Sequence, residues 1–176
     1  MSKYLLLVYG DCLRGMKNNH ALKDARYIGD TIIKSWQLLD VGGMPVVIDA
    51  KYPHSRSYVN VEMYEVDEMV ISSLDKYFNV PKTYIRELVL TKKGTKGILY
   101  YVDMKKTNIT GNGKIVNNGD WRSYINFLDN KEKLHEKRKK QRDLEDEKLE
   151  EKKLEDQKKK EKEKKEKETQ NNGDES

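Results

Sequence analysis

Apolar residues come in short runs up to about residue 128 and thin out sharply after it. The first run, Tyr4–Tyr9, has the branched and aromatic content of a buried strand. It breaks at once into Gly10-Asp11-Cys12-Leu13-Arg14-Gly15, a glycine-marked turn. Asn19–Ala25 fits a short helical segment, and Tyr27–Ile33 and Trp36–Val41 fit strands. Gly42-Gly43-Met44-Pro45 is a turn by composition, Val46–Ala50 a short apolar continuation, and Lys51–Ser57, with Pro53, a loop. Tyr58–Val66 alternates like a strand with one apolar face, which leaves Glu62 and Glu65 expected in solvent. Asp67 stands where a helix N-cap belongs. Val70, Leu74, Tyr77 and Phe78 then fall on one helical face, and Pro81 stops the helix. Tyr84–Leu90 and Gly97–Val102 read as strands around a Lys92–Lys96 turn, Asp103–Gly119 as a polar loop, and Trp121–Leu128 as a helix capped by Asp120. Many short strands with few helices suit a small barrel or a curled mixed sheet with helices packed on it.

Composition changes the picture mainly beyond Asn130. The chain has 176 residues, a net charge of +5 and 37% charged residues, against roughly 25% in an average globular chain. The excess sits in Lys131–Glu168, almost entirely Lys, Glu, Arg, Asp and Gln. Leu134, Leu144, Leu149 and Leu154 do not follow a heptad, so a single solvated helix is expected there rather than a stable dimeric coiled coil. Three segments follow: a domain at residues 1–128, a charged helical tail at 129–168, and a disordered end at 169–176. Positive and negative charges interleave in the tail, which argues against nucleic acid as partner and leaves a protein partner open. One cysteine rules out an intrachain disulfide and fits a reducing compartment. No run is long enough for a membrane span or a signal peptide, so a cytoplasmic protein is expected.

The candidate chemistry gathers at Tyr9, Gly10, Asp11, Cys12 and Leu13. A strand that ends in a glycine turn leaves backbone N–H groups able to cradle an oxygen. Asp11 is either a turn-former bonding its own backbone or a base. Cys12 is a small buried residue unless a histidine reaches it, and nothing ties His20, His54 or His135 to it. Of the 11 tyrosines, Tyr64, Tyr84, Tyr100 and Tyr101 are candidate pocket rings.

Together these motifs resemble the gamma-glutamylcyclotransferase-like, or AIG2-like, family. Tyr9–Gly15 followed by Asn18 is similar to its opening signature. Gly29 and Leu38–Pro45 resemble its second block, and Val61–Asp67 its strand with Glu62 and Tyr64. Leu74-Asp75, Pro81 and Tyr84-Ile85-Arg86 resemble its helix block, and Gly119-Asp120-Trp121 a closing feature. The resemblance implies a small mixed β-barrel with flanking short helices, an α+β fold. It implies cyclisation of a γ-glutamyl group to 5-oxoproline, with one glutamate as proton acceptor and no metal or cofactor.

The same resemblance places that glutamate on Phe78, whose ring can neither accept nor donate a proton. It places Asp11 and Cys12 where Ser or Thr and then Leu are usual. The expectation is a retained scaffold with a degenerate site, binding a small glutamyl or amino-acid-like ligand or a protein at Tyr9–Leu13. The alternative is an active enzyme with a shifted carboxylate, Asp11 foremost.

Overall fold

The computed structural model describes residues 2–50, 57–103 and 113–171, with side chains to residue 154. It divides into two compact units, Met1–Asn126 and Phe127–Ser176.

In the first unit, β1 (Lys3–Val8), β2 (Arg26–Lys34), β3 (Trp36–Val41), β4 (Met44–Asp49) and β5 (Tyr58–Asp67) precede the helix α1 (Glu68–Tyr77). β6 (Ile85–Leu90), β7 (Lys96–Tyr101), the short β8 (Lys114–Ile115) and the start of α2 (Trp121–Asn171) follow. One sheet has the order β2-β5-β1-β7-β6, and a second has β4-β3-β8. β1 pairs antiparallel with β5 and parallel with β7, so the first apolar run is central in the larger sheet. Leu6 and Leu7 are accordingly sealed in the core with Leu99, Val59 and Val61.

The expected small mixed β-barrel is not closed; its strands form two sheets. The edge strands β2 and β6 do not pair along their length. Near their ends the chain meets at one isolated bridge, Ile33 with Thr91, and at the Lys92 N–H donating to the Ile32 carbonyl. A closed barrel needs a continuous ladder around its circumference, and β3, β4 and β8 pair as their own sheet instead.

Local signals placed the helices. The Asp67 carboxylate accepts the Val70 N–H at 3.0 Å, capping α1. The helix gives way at Phe78 and turns through Asn79, held at a φ of 51°, the left-handed conformation that closes many helices. Asp120 likewise accepts from the Ser123 N–H at 3.2 Å. Gly119, at a φ of 54°, lies so close to Tyr58 and Val59 that a Cβ would overlap their backbone. The predicted Asp103–Gly119 loop holds β8 and a 3₁₀ turn at Asn117–Gly119, and residues 104–112 lie outside the described ones.

In the second unit α2 runs on without interruption, and the side chains of residues 131–154 are exposed. Among the described residues no helix is long and apolar enough to cross a membrane.

Candidate active site

The turn after β1 and the C-terminal end of α1 face a common cavity of about 400 Å³. Tyr9, Asp11 and Cys12 line it from the turn, Tyr77 and Phe78 from the helix, and Tyr84 and Tyr100 from the chain around β6 and β7. Gly10 holds the turn at a φ of 62°, where a Cβ would overlap the Pro45 ring. Pro45 is itself in the cavity wall, so the close approach of these two residues sets one side of it.

The turn's amides are partly engaged. The Cys12 N–H donates to the Tyr9 carbonyl and the Leu13 N–H to the Gly10 carbonyl, both at 3.2 Å. The cradle of free donors expected at Tyr9–Leu13 is reduced by these two bonds. Leu13 is not in the wall of this cavity; it borders another beside Glu62.

Asp11 is buried, and its carboxylate serves side chains rather than its own turn. One oxygen accepts from the Trp121 indole N–H at 3.0 Å, and the other pairs with the Lys17 ammonium at 2.9 Å. That pair holds the Lys17 ammonium's pKa above its ordinary value, first through the hydrogen bond. Burial pushes the Cys12 thiol up to about 11, and the nearby Asp11 charge adds to the effect. A thiol so held is protonated at neutral pH and is not a nucleophile. His20, the histidine nearest in sequence, sits with its Nδ1 3.1 Å from the Lys17 carbonyl oxygen.

Phe78 does not close the core alone; it is half-buried in the cavity wall. Its ring stacks on Tyr100 at 4.8 Å and 22°, tilts against Tyr84 at 4.8 Å, and meets the edge of Tyr77 at 5.0 Å. The tyrosine hydroxyls behind it are committed. Tyr9 donates to the Tyr100 carbonyl at 2.9 Å, and Tyr100 donates to Asp75 at 2.7 Å. Arg86 holds the other Asp75 oxygen at 2.6 Å. Burial raises the pKa values of Tyr9 and Tyr100, and that of Tyr84 to about 12. These phenols are therefore neutral at physiological pH. Tyr64 and Tyr101 lie outside the cavity wall.

Glu62 corrects a second expectation. It is 1% exposed, not solvent-facing. Its carboxylate accepts from the Arg14 N–H at 2.8 Å, the Tyr64 hydroxyl at 2.9 Å and the Arg122 guanidinium at 2.7 Å. The same guanidinium donates to the Arg14 carbonyl, so Glu62 and Arg122 clasp both sides of one residue in the glycine turn. β5 lies between β2 and β1, with residues buried on both its faces, which alternation alone could not reveal. The sequence signal that pointed to Glu62 was its place in the strand block, not its period. Lys17 was also missed; its one signal was its position beside Asn18.

The profile of the family described as "Gamma-glutamyl cyclotransferase, AIG2-like" matches residues 6–123. A putative gamma-glutamylcyclotransferase of Vibrio cholerae is 28% identical over 120 residues, spanning 68% of this chain and 96% of that protein. The putative gamma-glutamylcyclotransferase YkqA of Bacillus subtilis is 31% identical over 122 residues, 68% of this chain and 42% of its own length. Among solved structures, an uncharacterized protein from Pyrococcus horikoshii superposes with a TM-score of 0.58 at 24% identity, covering 72% of this chain and 97% of that one. The glycine turn, the Asp67-capped helix and the strand carrying Glu62 all lie inside the matched span, and the chain belongs to the gamma-glutamyl cyclotransferase, AIG2-like family.

Proposed function

We propose that this chain is a non-cyclising member of its family, whose cavity binds a small amino-acid-like ligand without turning it over. Phe78 carries this reading. Cyclisation needs a group that takes the proton from the attacking amine. At the end of α1, where the resemblance implies a glutamate, the cavity wall presents a phenyl ring stacked on Tyr100. Asp11, the carboxylate among the described lining residues, already holds Trp121 and Lys17. The domain is read as residues 1–128 of a cytoplasmic protein, and the tail at 129–168 as a solvated spacer or a helix for a protein partner.

The test is release of 5-oxoproline from γ-glutamyl amino acids and γ-glutamyl-lysine. Loss of a general base costs about 10²–10⁴ in rate, so no release above background is expected from the wild type. Asp11→Asn should behave the same way. Phe78→Glu combined with Asp11→Ser is the pair expected to restore a trace, with thermal stability measured on the same samples. Robust wild-type turnover that persists in Phe78→Leu would overturn the proposal and show that another residue is the base.

A further inference from the structure

We infer that the cavity takes a zwitterionic α-amino acid with an aromatic or large apolar side chain, its ammonium on Asp11, its carboxylate on Lys17 and its side chain among the rings. This rests on the reading of the cavity as a non-cyclising binding site and goes beyond it in naming the ligand class.

The first observation is the ion pair in the wall. Asp11 and Lys17 both line the cavity and stand 2.9 Å apart, with side chains 11% and 65% exposed. A carboxylate offers about four acceptor positions and an ammonium three donors. Asp11 uses one position on each oxygen, for Trp121 and Lys17, which leaves further acceptor positions on Asp11 and donors on Lys17. Adjacent charges of opposite sign complement the two charged groups on a single α-carbon.

The second observation is what the remainder of the wall lacks. Phe78, Tyr84 and Tyr100 present ring surface, and Leu74 and Pro45 add aliphatic surface. The Tyr9 and Tyr100 hydroxyls donate to protein acceptors and have no proton left to offer. Outside the Asp11–Lys17 pair the side-chain nitrogen and oxygen atoms of the wall belong to Asn18 and the tyrosines, and the amide of a γ-glutamyl compound laid against the rings is disfavoured unless it reaches one of them. A phenyl or isobutyl group meets no such cost, and stacking on Phe78 and Tyr84 favours an aromatic one. A volume of about 400 Å³ accommodates one such side chain with its head group.

Calorimetric titration of the full-length protein separates the alternatives, using L-phenylalanine, phenethylamine, 3-phenylpropionate, glycine and γ-glutamyl-alanine. L-phenylalanine should bind, and phenethylamine, 3-phenylpropionate and glycine should each bind at least tenfold more weakly. Lys17→Met is an exposed change that should keep the fold. It should weaken L-phenylalanine at least tenfold and leave phenethylamine no weaker. Glycine binding as well as phenylalanine, or Lys17→Met binding phenylalanine like the wild type, would overturn the inference. Tight γ-glutamyl-alanine binding with phenylalanine silent would overturn it while leaving the non-cyclising reading intact. Silence of every ligand would overturn both, and release of 5-oxoproline would overturn the proposed function on its own.

Discussion

Asp11 and Cys12 are adjacent in the chain and opposite in fate. Asp11 meets a donor on each oxygen, so burial leaves its carboxylate bonded. Cys12 has burial and a neighbouring negative charge, both of which disfavour the thiolate and raise its pKa from 9.0 to about 11. The consequence for stability has a definite sign. From about pH 9 the unfolded chain loses the thiol proton while the folded domain keeps it. The contribution is whole below pH 9 and is lost as pH rises through 11, at up to about 1.4 kcal/mol per pH unit. Urea midpoints at pH 8 and 9.5 should fall along that course in the wild type, and by pH 10.5 the buried tyrosines, whose pKa values are also raised, should steepen the fall. In Cys12→Ala the fall between the first two should flatten; an identical slope in the variant would remove Cys12 as its cause.

The glycine turn and the first residues of α2 act as one element. Asp11 holds Trp121, Glu62 holds Arg122, and Asp40 accepts from the Tyr124 hydroxyl at 2.7 Å. Three carboxylates from the first turn, β5 and β3 thus bind three residues within four positions of the helix start. Glu62→Gln keeps the shape but turns one acceptor into a donor, which must face the Arg14 N–H and Tyr64 or else Arg122. A buried donor facing a donor, with a guanidinium losing its charge partner, costs about 2–4 kcal/mol. The variant should unfold at lower urea with the denaturant slope unchanged. A midpoint within error of the wild type would show that the clasp contributes little.

Across the whole molecule, the charged stretch of α2 has no buried side chain from residue 131 to 154. Its helix forms from good helix formers and from Glu and Lys residues spaced four apart, each pair adding about 0.2–0.5 kcal/mol. Such pairs weaken with salt. Removing residues 131–176 should leave the melting temperature of the domain nearly unchanged and remove much of the helical circular dichroism signal. Salt should lower that signal in the full-length chain. A large drop in melting temperature on truncation would mean that the tail stabilises the domain.

Local chemistry was legible in the chain. Asp67 capped its helix, the Gly10 turn ended its strand, and Trp36–Val41 formed the strand its pattern predicted, because caps, positive-φ turns and periodicity act over a few residues. The block order, read as a resemblance, carried the family. Partnership across the fold was not legible. Whether β2 and β6 close a barrel depends on edges some 60 residues apart meeting along a ladder, and they meet at one bridge. Glu62 looked like a solvent-facing strand residue because its partners come from residues 14, 64 and 122. Phe78 continues the apolar stripe of its helical face and packs against the core, and only the fold showed that the same ring meets Tyr77, Tyr84 and Tyr100 at the wall of a cavity. The sequence by itself determined what each segment could form; only the tertiary structure decided which side chains met, because burial and hydrogen bonding between distant segments have no local signature.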